Sequence, residues 1–307
     1  LNPDAATQRR YRQETRGAQA RRLELRHAAG QPARTRDGTT ITVMANVSCR
    51  EDAAAAEHNG ADGVGLYRLE GFYLARKTPP TVEELLAELR ALFTPMKDKP
   101  VTVRLLDIGG DKPLPFLRLP HENNPFLGQR GVRFLLRYPD LLDTQLQALC
   151  QFAQEQEVNI LVPMVTFAED MARVRRRLEA AANAVALATL PRLGAMVETP
   201  SAALTVPEIR AHADFLSIGT NDLTQYTVAA GRENPLVDEY FREDHPAVLR
   251  LLRIVVEEAG PLPVAVCGEL ARQVEALPTL LRLGIRNLSV AAPLIPEVKE
   301  AIRQIAL

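Results

Sequence analysis

Cysteine is scarce in this chain, and long apolar runs are absent. The 307 residues include three cysteines, which are widely spaced and form no CxxC pair. This usage argues against a disulfide framework or a structural zinc site and favours a reducing compartment. No apolar segment is long enough to span a membrane, and no signal peptide opens the chain. We therefore expect a cytoplasmic protein that does not associate with a membrane.

An excess of charge of one sign and a glycine-rich nucleotide loop are also missing. The formal net charge is −1, which indicates no general attraction to nucleic acid. Neither the Walker nor the Rossmann glycine pattern occurs. The five histidines fall on predicted helices and loops, so we expect them to be surface or capping residues. The balance of 46% hydrophobic and 24% charged residues is that of a soluble globular protein.

The first 38 residues differ in pattern from the rest of the chain. Residues 4–29 are rich in Arg, Glu, Gln and Ala, which predicts an exposed helix that ends at Gly30-Gln31-Pro32. We interpret this helix as a solvated linker, and a basic arm for nucleic acid is the less favoured alternative. Residues 1–38 are therefore predicted to form a linker helix and connector, and residues 39–307 a single domain.

From residue 40 onward, eight short apolar strands alternate with helices. The strands are rich in Val, Ile and Leu without strict alternation, which is typical of a parallel sheet buried on both faces. Eight strands, each followed by a helix, predict an α/β fold of the (β/α)₈ or TIM-barrel type. The predicted strands are residues 41–47, 63–68, 101–107, 160–165, 193–198, 214–219, 264–267 and 288–290. The predicted helices are residues 50–59, 81–96, 128–157, 167–187, 200–212, 246–259, 270–283 and 294–305, with a loop at 221–245.

Charged and polar residues gather at the predicted carboxyl ends of the strands, where such barrels carry their active sites. Carboxylates there suit Mg²⁺, and arginine side chains suit phosphate or carboxylate groups of a ligand. For each of these residues taken alone, an internal salt bridge is the alternative. The residues at or near these ends are Arg68, Glu70, Arg104, Asp107, Arg130, Glu198, Asn221, Asp222, Arg232 and Cys267.

Cys267 is the one thiol that closes a predicted strand and is followed by Gly268-Glu269. A cysteine in an apolar strand usually acts as a small buried hydrophobic residue. Its position at a carboxyl end gives a catalytic role more weight, with packing as the alternative. Cys49 and Cys150 show no such context.

Six segments resemble those of the phosphoenolpyruvate-utilising enzymes. The segments are Gly63–Glu70, Val103–Lys112, Asn124–Arg130, Met196–Pro200, Ser217–Tyr226 and Cys267–Glu269. The resemblance is closest to the C-terminal domain of enzyme I of the bacterial sugar phosphotransferase system. It covers residues 40–305, and residues 4–35 resemble the linker that precedes that domain.

The resemblance implies a barrel that binds phosphoenolpyruvate and Mg²⁺ and forms a homodimer. Glu198 and Asp222 would be the metal ligands, and Cys267 would protonate the methylene carbon of enolpyruvate. Ligand phosphate and carboxylate groups would be held by Arg68, Arg104 and Arg232, with Arg130, Asn221 and Asp222 in the same shell.

The phosphoryl acceptor in the family is a histidine on a separate domain, in a Gly-rich Thr-x-His segment that this chain lacks. We therefore expect the chain to be part of a longer phosphotransferase that passes the phosphoryl group on to a phosphocarrier protein. Four positions depart from the family pattern, namely Leu69, Gly71, Gln129 and Arg272.

Two alternatives remain. One is the equivalent domain of pyruvate phosphate dikinase or phosphoenolpyruvate synthase, although those barrels carry longer insertions. The other is a degenerate barrel that only senses phosphoenolpyruvate and dimerises. The intact acidic, arginine and cysteine positions count against this second alternative.

Overall fold

A computed structural model describes residues 4, 7–8, 10–11, 23–109 and 114–307. Much of the predicted linker helix at 4–29 lies outside these residues, and so do Gly110, Asp111 and Lys112. Within the predicted helix, residues 23–29 are helical. They are followed by a short strand, β1 (Ala33–Arg34), which pairs antiparallel with residues 40–41. The division of the chain at residue 38 stays a prediction.

Eight parallel strands close into a barrel, which confirms the predicted fold. Each strand pairs with the next along the chain, and the last pairs with the first through Thr42 and Asn287. The carboxyl ends of all eight therefore meet at one mouth. The strands are β2 (Thr40–Val47), β3 (Val64–Arg68), β4 (Val101–Arg104), β5 (Val158–Val162), β6 (Arg192–Val197), β7 (Phe215–Ile218), β8 (Val264–Val266) and β9 (Asn287–Ala291).

Helices surround the barrel. They bury apolar faces against the strands, as α3 does with Leu85, Leu89 and Leu92. The α-helices are α1 (Arg50–His58), α2 (Glu70–Leu74), α3 (Val82–Phe93), α4 (Val132–Arg137), α5 (Pro139–Phe152), α6 (Ala168–Ala184), α7 (Pro200–Leu204), α8 (Val206–Ile209), α9 (Thr220–Val228), α10 (Pro246–Glu258), α11 (Leu277–Arg282) and α12 (Ile295–Arg303). None of the helices in the described ranges combines the length and the apolar character needed to cross a membrane.

Three predicted helices are broken into shorter pieces, so their predicted continuity was wrong. The stretch 128–157 is divided at Tyr138, whose backbone (φ −116°, ψ 70°) is not helical. Pro139 explains this break, because a proline disfavours the helical conformation in the residue before it. Breaks at Thr205 and before Leu277 divide the stretches 200–212 and 270–283, and a proline lies near each of them.

The predicted loop at 221–245 was also wrong at its start, because α9 follows β7 directly. No glycine or proline lies between Thr220 and Val228, and Ala229, which follows the last helical residue, has a left-handed φ of 54°. Asn221 and Asp222 therefore lie in the first turn of a helix, where a negative charge is stabilised by the helix dipole. A helix holds these two side chains more rigidly than a loop would.

Candidate active site at the carboxyl ends of the strands

The mouth of the barrel contains a cavity of about 340 Å³. It brings together side chains from six of the strands or the segments that follow them, as expected of carboxyl ends that meet at one face. All eight predicted site residues line it, namely Arg68, Arg104, Arg130, Glu198, Asn221, Asp222, Arg232 and Cys267.

Arg104 is buried and paired with two carboxylates. It donates to Glu70 Oε1 at 2.8 Å and lies 3.2 Å from Asp107 Oδ2. Burial alone would lower the pKa of Arg104, but the charges of Glu70 and Asp107 outweigh it and raise the pKa. Its Nε is buried and has no hydrogen-bond partner within the described part of the chain. Arg104 therefore keeps one donor free.

Arg130 is saturated by internal partners. It donates to both oxygens of Asp107 at 3.0 and 3.1 Å, to both oxygens of Asp222 at 2.9 Å, and to Tyr226 Oη at 3.2 Å. A guanidinium has five N–H groups, so these five bonds use all of them. The Tyr226 hydroxyl in turn donates to the carbonyl of Phe126 at 2.5 Å. Arg130 thus orients Asp107 and Asp222.

Arg68 and Arg232 differ from this pair because they open onto the cavity with donors to spare. Among the residues that the structure describes, no carboxylate lies within ion-pair distance of Arg68. Arg232 lies 3.8 Å from the exposed carboxylate of its neighbour Glu233. Burial lowers the pKa of Arg68, and the positive charges of Arg104 and Arg232 lower it further. An anion in the cavity would offset that repulsion.

Glu198 is only 1% exposed, and its Oε1 accepts the backbone N–H of Met164 at 2.7 Å. Met164 adopts a left-handed φ of 56°, which is unusual for a residue other than glycine. A Cβ at Gly219 would lie 2.8 Å from Glu198 Oε2, so the glycine leaves this carboxylate oxygen uncovered. Burial, and then the charges of Asp222 and Asp107, raise the pKa of Glu198.

The donor set of Glu198 and Asp222 fits a hard divalent cation that keeps part of its water shell. Mg²⁺ commonly takes one or two protein carboxylates and completes its octahedron with waters and ligand oxygens. No cluster of three or more His, Cys, Asp or Glu side chains suited to a metal occurs in the described ranges. Each Asp222 oxygen that accepts from Arg130 retains a second lone pair. Two carboxylates at one cavity are thus compatible with Mg²⁺ but not with a closed, all-protein metal cage.

Asn221 and Cys267 complete the wall of the cavity. The side-chain oxygen of Asn221 accepts the Glu269 N–H at 2.7 Å, which leaves its amide NH₂ group as a donor. Cys267 is 3% exposed, and its Sγ accepts a hydrogen bond from Ser217 Oγ at 3.3 Å. Burial raises the pKa of the Cys267 thiol, whereas the Ser217 hydrogen bond acts in the opposite direction.

A sequence model described as "PEP-utilising enzyme, PEP-binding domain" matches residues 22–307. The chain belongs to this family. The resemblance drawn from the six segments is confirmed.

Similar proteins include a multiphosphoryl transfer protein from Rhodobacter capsulatus, 40% identical over 94% of this chain and 35% of its own length. A phosphoenolpyruvate-protein phosphotransferase from Bacillus sp. (strain S) is 37% identical over 100% of this chain and 54% of its own length. Another, from Haloferax volcanii, is 40% identical over 94% of this chain and 52% of its own length. The chain thus spans about a third to a half of these relatives.

Among solved structures, an HpcH/Hpal aldolase/citrate lyase family protein from Burkholderia cenocepacia J2315 is similar in fold. Its TM-score is 0.53 at 18% identity, and the match covers 92% of this chain and 97% of that chain. This likeness supports the barrel architecture alone.

For a PEP-binding domain of this family, the four departures can now be located. Gly71 lines the cavity, whereas Leu69, Gln129 and Arg272 do not. A Cβ at Gly71 would meet only the Ser48 carbonyl, at 3.7 Å, so the glycine widens the mouth locally. Among the four departures, only Gly71 therefore alters the lining of the cavity, and the acidic and arginine side chains stay in place.

The sequence did not indicate the partners of these residues. Glu70 and Asp107 lie at strand ends, but no sequence pattern assigns them to an arginine, and none gives Ser217, Tyr226 or Met164 a role in the site. Ser217 carried a usable signal, because it is the one polar side chain in the strand Phe215–Ile218. The amide of Met164 carried none, since its contact with Glu198 depends on backbone conformation.

Proposed function

We propose that this chain binds phosphoenolpyruvate together with Mg²⁺ and supports transfer of its phosphoryl group to a histidine on a separate domain, with release of pyruvate. The observation that carries the proposal is the shared cavity, in which two arginines with free donors face two carboxylates and a thiol. The names of the relatives, phosphoenolpyruvate-protein phosphotransferase and multiphosphoryl transfer protein, support the same assignment.

Binding of the ligand falls to the arginines with free donors. Arg68 and Arg232 hold the phosphate and carboxylate groups, and Arg104, which lines the same cavity, acts with them. Asn221 donates from its amide. Direct contact of Arg130 with substrate is less favoured, because its five N–H groups are engaged; it acts by holding Asp222 in one orientation.

Glu198 and Asp222 hold the Mg²⁺. When bound, the ion neutralises charge on the phosphoryl oxygens, which is a principal requirement of phosphoryl transfer. The protein's own part is to orient the ligand and to keep water away from the buried floor of the cavity. Cys267 lies in that floor and gives a proton to the methylene carbon of the enolpyruvate that remains.

The full-length protein would supply the phospho-His domain and pass the phosphoryl group to a phosphocarrier protein. A homodimer and a cytoplasmic location belong to the same proposal. The membership of the whole barrel in the family and the complete set of cavity residues favour this function over a degenerate sensor.

Calorimetry with phosphoenolpyruvate, with Mg²⁺ or with a chelator, tests the assignment. We expect Mg²⁺ to strengthen binding in the wild type, and Glu198→Gln to weaken Mg²⁺-supported binding at least about tenfold. The amide keeps the shape of the side chain and its bond to the Met164 N–H. Glu243→Gln is the matched control, because this buried carboxylate bonds Thr220 and Gln273 outside the cavity. Unchanged Mg²⁺ dependence in Glu198→Gln would refute the metal assignment.

A further inference from the structure

A second cavity lies inside the barrel beneath Cys267. Its volume is about 100 Å³, and its polar lining includes Thr102, Asn159, Arg192, Ser217, Asn287 and Ser289. We call it the lower chamber. Along the strands its lining residues precede those of the mouth, as Gly65 precedes Leu66 on β3 and Ala265 precedes Cys267 after β8. The two cavities are therefore successive levels of one barrel interior.

A small apolar cluster occupies the level between the two cavities. It consists of Leu66, Leu161, Met196 and Cys267, with Phe215 packed against it. Leu66, Met196 and Cys267 also line the mouth, whereas Phe215 also lines the lower chamber. Such stacked layers of side chains are the usual filling of a TIM barrel. This layer limits the passage of water from the mouth to the lower chamber.

Ser217 connects the two levels. It is 2% exposed, it lines the lower chamber, and its hydroxyl donates to Cys267 Sγ at 3.3 Å. The polar wall of the chamber also reaches the backbone of Cys267. There Ser289 donates to Asn46 Oδ1 at 2.7 Å, and the Asn46 amide donates to the Cys267 carbonyl at 3.2 Å.

The lower chamber is suited to water and faces away from the mouth. One buried water needs about 10–15 Å³ of such space, so several could fit. Arg192, Pro263 and Asn287 line the chamber at the amino-terminal ends of β6, β8 and β9. These ends belong to the face of the barrel opposite the substrate cavity.

We propose that Ser217 is a positioning residue that returns a proton to Cys267 from the lower chamber, on the opposite side of the thiol from the substrate. The inference rests on the proposed function. When Cys267 has protonated the methylene carbon, a new C–H bond has formed and a thiolate remains. The Ser217 O–H bond then breaks as the S–H bond re-forms. A chamber water protonates the serine oxygen, and the resulting hydroxide is neutralised by a proton from bulk solvent.

A proton route from the lower chamber would allow the thiol to be reprotonated while the mouth is occupied. A bound ligand fills the mouth and excludes water from it, so reprotonation from that side would have to wait for product release. The Ser217 hydroxyl lies 3.3 Å from the sulfur with donor geometry, and a hydrogen bond in that direction stabilises a thiolate. Glu198, Arg104 and Arg68, whose charges act on the thiol, lie at the mouth, and Arg192 is the charged residue that lines the lower chamber.

Hydrogen–deuterium exchange of the thiol tests the route directly. Cys49→Ser and Cys150→Ser leave Cys267 as the single thiol, and infrared spectroscopy follows its S–H stretching band after transfer to D₂O. With phosphoenolpyruvate and Mg²⁺ saturating the mouth, we expect exchange in Ser217→Ala to be at least about tenfold slower than in the parent. Ser217→Thr should restore it, and with the mouth empty the two rates should converge.

Ser289→Ala is the matched control, because it removes a hydroxyl from the same chamber without touching the thiol. Equal rates in Ser217→Ala and the parent with the mouth filled would overturn the proposal, as would equal slowing in Ser289→Ala.

A second measurement needs no ligand. The pH dependence of Cys267 alkylation by iodoacetamide should shift upward by about one pKa unit in Ser217→Ala, because the thiolate loses a hydrogen bond. The absence of that shift would overturn the role of Ser217. Failure of phosphoenolpyruvate to bind in calorimetry would instead count against the proposed function.

Discussion

The four arginines of the cavity are of two kinds, and substitutions should affect ligand binding for one kind and fold stability for the other. Arg68 and Arg232 face the cavity with free donors, whereas Arg104 and Arg130 are paired with buried carboxylates. Arg68→Gln should therefore weaken ligand binding and leave the fold intact. Arg130→Met should destabilise the fold itself.

The expected magnitudes follow from the partners that each change leaves behind. Arg68→Gln removes hydrogen bonds to an ionised group, worth about 1.5–3 kcal/mol, so the Kd for phosphoenolpyruvate should rise roughly 10- to 150-fold. Its free energy of unfolding should change by less than about 0.5 kcal/mol, because no described carboxylate loses a partner. Arg130→Met leaves Asp222 buried without its cation and leaves Asp107 with Arg104 alone, at a cost of about 3–5 kcal/mol.

Two assays on the wild type, Arg68→Gln and Arg130→Met test these expected changes. Urea denaturation gives the free energy of unfolding in the absence of ligand, and calorimetry with Mg²⁺ gives the Kd. The division into two kinds is refuted if Arg68→Gln unfolds as easily as Arg130→Met, or if Arg68→Gln binds phosphoenolpyruvate as tightly as the wild type.

Two further predictions concern stability away from the cavity. Lys299 is 1% exposed and donates to three oxygens, one of them a carboxylate oxygen of Asp62 at 2.6 Å, so Lys299→Met should cost about 3–5 kcal/mol in urea denaturation. A loss below about 1 kcal/mol would contradict this. Thr81 caps α3 in a reciprocal pair with Glu84, so Thr81→Ala should cost about 1 kcal/mol. Thr144→Ala, at a partly exposed position inside α5, is the control, and an equal loss there would rule out the cap as the cause.

The strand pattern was predictable because the barrel buries both faces of each strand. The predicted first strand at 41–47 differs from β2 by one residue. The break at Pro139 could have been predicted, since the proline is visible in the sequence. Helix α9 could not be inferred from apolar periodicity, because Asn221, Asp222 and Thr224 alternate with few apolar residues. Its position depends on the barrel packing that follows β7.

The residues that line the cavity could be predicted from the sequence, but the contacts between its arginines and carboxylates could not. Strand ends in a parallel barrel converge, so side chains as far apart in sequence as Arg68 and Cys267 could be expected at one mouth. Which carboxylate each arginine contacts depends on side-chain direction across the barrel. Arg130 meets Asp222 over 92 positions and Asp107 over 23, and no spacing rule selects that combination.

Asp222 is the point at which stability and function cannot be separated. Both of its oxygens accept from Arg130, so one orientation of the carboxylate is fixed before any ligand arrives. Preorganised charge of this kind lowers the reorganisation needed when a reaction takes place. The same contacts hold a buried anion that would otherwise destabilise the barrel. A variant at Asp222 therefore changes the fold and the ligand site together, whereas Arg68 reports on ligand binding alone.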